Sequence, residues 1–158
     1  WLDWARADTD LLAFTQRLLA LRREEPALRH PHWFQHAPAA PGERSLVWLT
    51  PGGHEMQVQD WHDPGEHAFA CRIDASPTHK AGPADCPGSN GSGSRHLLVA
   101  FNPQAQPQTF TLPPGRWRVA LDSAGELVPG AAPSATGTLA LPAHSLVMLR
   151  EPDDAVHG

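Results

Sequence analysis

The spacing of apolar and polar positions divides the chain into a short helical part and a longer strand-bearing part. Over residues 9–25, Leu11, Phe14, Leu18 and Leu21 recur at steps of three and four, and Leu12, Thr15 and Leu19 widen the stripe. That period predicts an amphipathic α-helix. Asp8 or Thr9 stands where an N-cap is needed. Asp10 suits the positive end of the helix dipole, and Arg22 and Arg23 suit the negative end. Pro26 disfavours helical geometry at Glu25, so the helix is expected to stop near Glu24. The stripe is too wide for one helix to bury by itself, so a partner surface is required.

Residues 26–44 hold four prolines and little apolar period, and read as an extended connection. Beyond Ser45 no helical period persists. Short β-prone runs follow instead, at 45–50, 68–73, 96–101, 108–112, 117–121, 138–141 and 145–150, separated by Gly, Pro, Asn and Asp. The run 96–101 is almost continuously apolar, which predicts a central strand. About seven strands at this spacing predict a mainly β fold: an antiparallel β-sandwich preceded by an N-terminal amphipathic α-helix. Residues 74–95 are rich in Gly, Ser and Pro and are expected to form a mobile hairpin connection, and residues 151–158 a polar tail.

Composition narrows the function classes. The 158 residues carry 12 Lys plus Arg against 17 Asp plus Glu, a formal charge of −5, with no basic cluster. That argues against a nucleic-acid partner. No apolar run reaches the roughly 18 residues a membrane-spanning helix needs, so no membrane partner is expected either. The start Trp1-Leu2-Asp3-Trp4 is not a signal peptide. Two cysteines, Cys71 and Cys86, cannot build a disulfide framework and read as free thiols of a cytoplasmic protein. A chain that opens on Trp1 and enters amphipathic sequence at once is expected to be a fragment of a longer polypeptide.

Candidate chemistry is sparse. His30, His32 and His36 are close together, but their spacing fits no strong zinc pattern, so no metal or other cofactor is expected. Cys71 reads as a small core residue, and no base accompanies either thiol. The close carboxylate pairs Asp8/Asp10, Glu24/Glu25 and Asp153/Asp154 fall at helix ends and in the tail, not at buried strand ends where two pKa values could be driven apart. No catalytic residue is assigned. Six tryptophans remain: Trp1, Trp4, Trp33, Trp48, Trp61 and Trp117. Sugars stack on exposed aromatic faces, but core packing is the expectation for Trp48 and Trp117 on their strands. Trp1 and Trp4 precede the helix outside its stripe and are the candidate substrate-binding residues.

Several motifs then occur in a familiar order. Trp1-Leu2-Asp3-Trp4, Asp10-Leu11-Leu12 with Phe14, and Leu21 to Leu28 come first. Val47-Trp48-Leu49, Gly53 with Glu55-Met56, and Asp60-Trp61 follow. Leu97 to Asn102, Phe110 with Leu112-Pro113, Trp117, and Ser145 to Leu149 close the series. Together they resemble the last barrel segment and C-terminal sandwich of bacterial glycogen debranching enzymes, isoamylase-like members of the α-amylase superfamily. Enzymes of that family carry a His before the helix-ending Pro, where this chain has Glu25.

The resemblance implies that 1–35 is the last loop and helix of an upstream TIM barrel, 36–44 a linker, 45–150 a C-terminal β-sandwich and 151–158 a tail. It implies a parent glycoside hydrolase that cleaves α-1,6 branch linkages of glycogen or limit dextrin by a retaining two-carboxylate mechanism. Those carboxylates would lie upstream of Trp1. The fragment itself is therefore expected to be inactive and to stabilise the barrel, its partner within the same polypeptide. A stand-alone α-glucan-binding module and an interaction or dimerisation module are the alternatives.

Overall fold

The structure is a computed structural model and describes residues 1, 6–29, 46–74 and 94–152. One helix precedes seven strands, α1 Thr9–Glu24 and then β1 Leu46–Leu49, β2 Phe69–Asp74, β3 Ser94–Asn102, β4 Gln108–Thr111, β5 Arg118–Asp122, β6 Thr138–Leu141 and β7 Ser145–Pro152. All seven expected strands are present, each within about two residues of its expected ends. All pairings are antiparallel. Five strands form one sheet in the order β1-β2-β3-β7-β5, and β4 pairs with β6 in a second.

Local chemistry explains the helix limits. The Asp8 carboxylate accepts the backbone N–H groups of Asp10 at 3.0 Å and Leu11 at 2.9 Å, satisfying two donors the helix leaves free. At the other end Glu25 is extended, and its N–H donates to the Leu21 carbonyl. A single 3₁₀ turn, Pro26–Arg29, follows.

The molecule has three layers. Phe110, Leu139 and Leu141 of the small sheet pack against Ala70, Leu98, Ala100, Val119, Val147 and Leu149 of the large one, with Trp117 between them. The opposite face of the large sheet meets the helical layer. Leu21 packs on Val99, Leu121 and Met148, and Ala27 packs on Cys71, Ile73 and Leu97. The large sheet is thus covered on both faces, which is why β3 and β7 read as continuous apolar runs instead of alternating ones. The helix has its partner surface here, met by Phe14 and Leu21.

Two devices fix the layers. Gly53, at φ 84°, closes the turn after β1, and a Cβ there would come within 3.1 Å of the Thr111 carbonyl. The same turn accepts the Thr111 N–H on the Pro51 carbonyl at 2.8 Å, tying the two sheets at one edge. Asn102 is fully buried at the end of β3. Its amide donates to the Gln106 and Pro142 carbonyls and its oxygen accepts the Gln104 N–H. Both the amide nitrogen and the amide oxygen thus have partners, as a buried amide requires.

Candidate functional site

The described carboxylates hold the backbone in place. Asp122 accepts the N–H groups of Ala124, Glu126 and Leu127 at 2.7–2.9 Å. Asp60 accepts that of Gln57 at 2.7 Å, and Asp63 that of Gly65 at 2.8 Å. Glu25 is 2% exposed and lies 3.6 Å from the Arg150 guanidinium, joining the end of α1 to β7. Cys71 is buried in the sheet, where desolvation pushes its thiol from 9.0 up to about 12, so it is held protonated and unreactive. Among the described residues no group of three His, Cys, Asp or Glu could hold a metal ion. No helix among them is long and apolar enough to cross a membrane.

What the fold leaves on the surface is apolar. Along α1 only Leu21 is buried and Phe14 is half-buried, whereas Leu11, Leu12, Leu18 and Leu19 are between 41% and 61% exposed. The broad stripe read in the sequence is therefore split between a foot that grips the sheet and a remainder that faces outward.

The tryptophans sort by position. Trp117 is buried as expected, and its indole N–H donates to the Pro113 carbonyl at 2.7 Å. Trp48 departs from the core position expected of it: it is 36% exposed on the edge strand β1, on the face that carries the helical layer. Among the described residues the cluster beneath that layer takes in Leu46, Cys71 and Ile73 but not Trp48. Trp61, on the 3₁₀ turn Asp60–His62, is 50% exposed and stands edge-on to Trp48 with ring centres 5.6 Å apart. Phe69 lies 5.6 Å from Trp48 and 6.3 Å from Trp61, and Phe101 lies 5.1 Å from Phe69. The sequence marked Trp48 and Trp61 as tryptophans and within two of the ordered motifs, but nothing in the pattern brought them together as a cluster. Trp1 is fully exposed at the chain start. Trp4, Trp33, the histidines at 30, 32 and 36, Cys86 and most of the 74–95 connection lie outside the described residues.

Comparison with known proteins gives the arrangement its context. A family described as a domain of unknown function, DUF3459, matches residues 84–148. A glycogen debranching enzyme of Erwinia tasmaniensis is 29% identical over 126 residues, covering 80% of this chain. A glycogen operon protein GlgX homolog of Mycobacterium bovis is 28% identical over 164 aligned positions, covering 96% of this chain. A pullulanase from Bacillus acidopullulyticus superposes over 90% of the chain with a TM-score of 0.54 at 18% identity, a likeness of fold.

Over most of its length the chain is similar to a segment of proteins named glycogen debranching enzymes.

It spans 15% of the Erwinia enzyme, 22% of the Mycobacterium protein and 14% of the pullulanase chain. The resemblance read from ordered short motifs in the sequence thus agrees with relatives aligned across most of the chain.

Proposed function

We propose that this chain is the non-catalytic C-terminal portion of a glycogen debranching enzyme, a cytoplasmic glycoside hydrolase acting on α-1,6 branch linkages, and that it stabilises the catalytic barrel. The observation that carries this reading is the divided helix. Its foot is locked into the sandwich by Leu21, Ala27 and the Glu25–Arg150 pair, while Leu11, Leu12, Leu18 and Leu19 stand exposed. An exposed stripe of this kind is what an interface leaves open when its other half is a different domain. Residues 1–35 then belong to the barrel edge, 36–44 link it to the sandwich of 45–150, and 151–158 form a tail. Trp1 and Trp4 would sit in the barrel's last loop, near its glucan groove.

Two experiments test the reading. The purified chain, incubated with glycogen limit dextrin, is expected to release no reducing ends above the blank, and release would overturn the non-catalytic assignment. The coding DNA upstream of the Trp1 codon is expected to continue in frame through a barrel of about 250 residues with acidic side chains at its strand ends. A start codon directly upstream would overturn the parent-enzyme assignment.

A further inference from the structure

We propose that Trp48 and Trp61 form a platform that binds a neutral α-glucan chain on the edge of the sandwich. The α-glucan class of the ligand rests on the debranching reading, whereas the platform itself rests on geometry. The two indoles are exposed together on one edge, and Phe69 and Phe101 support them from the sheet.

The platform is built before any ligand arrives. The Met56 N–H donates to the Trp48 carbonyl at 2.9 Å, Asp60 caps the turn through Gln57, and the His62 N–H donates to the Gln59 carbonyl at 3.1 Å. Ordering costs on binding are correspondingly small. The segment that carries Trp61 also exposes Gln57, Gln59, His62 and Asp63, donors and acceptors of the kind that hydroxyl groups pair with. Residues 50–68 carry four carboxylates and neither Lys nor Arg, so an anionic ligand such as a nucleic acid or a phosphate is disfavoured. A sugar chain presents the complement: apolar C–H faces for the rings and a hydroxyl rim for the polar border. The rings meet at 79°, a bent surface suited to the curved path of an α-linked glucan more than to a flat ribbon.

Affinity electrophoresis of the intact chain in native gels containing glycogen tests the proposal. Glycogen is expected to retard the protein, and a gel containing hydroxyethylcellulose is not. Trp61→Ala, at an exposed turn position, is expected to keep the melting temperature and weaken retardation about tenfold or more, whereas Val128→Ala, at an exposed apolar position elsewhere, is expected to retain it. Unretarded wild-type chain, undiminished retardation in Trp61→Ala, loss in Val128→Ala, or retardation by the cellulose derivative alone would each overturn it. So would a concentration-dependent sedimentation coefficient abolished by Trp61→Ala in a chain that glycogen does not retard, which would make this face a contact between copies. None of these outcomes bears on the upstream coding sequence, so failure of the platform and failure of the debranching reading remain distinguishable.

Discussion

At Glu25 the backbone closes α1 while the carboxylate turns inward to Arg150. The two partners are unequal: the Glu25 side chain is almost wholly buried and that of Arg150 is 41% exposed. Removing the buried charge lets the guanidinium turn to water, whereas removing the guanidinium takes a counter-charge from a carboxylate that stays buried. Arg150→Met is therefore expected to cost about 1 kcal/mol more than Glu25→Gln, read as a difference in urea midpoints. Equal losses would contradict the asymmetry. No local pattern announced this pair, because it joins the end of the helix to the last strand and only the fold brings them together. Cys71, by contrast, was legible as a core residue from its place in an alternating strand. Its raised thiol pKa has a consequence above neutrality. The unfolded chain gives up the thiol proton above about pH 9, while the folded chain keeps it until about 12. Stability is thus full below pH 9 and falls by up to about 1.4 kcal/mol per unit as pH rises between those values. The chain has no Tyr and a single Lys, Lys80, so few other side chains titrate in this window. Urea midpoints at pH 8 and pH 10 should fall with pH in the wild type and markedly less in Cys71→Ala.

The elements were largely legible because their ends are chemically marked. Asp8 and Pro26 bracket α1, and Pro51-Gly52-Gly53, Asn102-Pro103 and Pro142-Ala143-His144 punctuate the strands. What the pattern could not reveal is how far each covering layer reaches. Core packing is the expectation for Trp48 on its strand, yet β1 is an edge strand and Trp48 is 36% exposed. In the same way the stripe of α1 reads as uniform, although the sheet receives only Phe14 and Leu21 from it. Substitutions along that stripe should separate the two parts. Leu21→Ala opens a cavity against Val99, Leu121 and Met148 and is expected to cost about 2–4 kcal/mol. Leu18→Ser, on the exposed part, is expected to change stability of the chain by less than about 0.5 kcal/mol. In a polypeptide that includes a barrel the second substitution should become destabilising as well. Chemical denaturation of both forms would measure the difference, and an unchanged value in the longer protein would place the barrel contact elsewhere.

On the scale of the molecule, the helical layer has two roles that pull toward different domain boundaries. Its foot completes the sandwich, since Cys71, Ile73, Leu97, Val99, Leu121 and Met148 are all buried beneath Leu21, Ala27 and Leu28. Its outer stripe stands exposed and, on the proposed reading, meets a preceding barrel. Sequence order alone assigns the helix to whatever precedes the Pro-rich connection, because the chain leaves α1 before it enters the sheet. Packing assigns part of its stability to the sheet. Burial at on the order of 1.5–3 kcal/mol per large apolar side chain, an upper bound, makes that part comparable with the whole stability of an ordinary domain. A chain beginning at residue 36 is therefore expected to expose the far face of the large sheet, bind a hydrophobic dye and lose a cooperative thermal transition, although all seven strands remain in its sequence. Were the helix only a barrel element resting against the sandwich, the same deletion would leave the transition sharp and shift its midpoint by only a few degrees. Calorimetry of the two chains side by side decides which domain the helix stabilises.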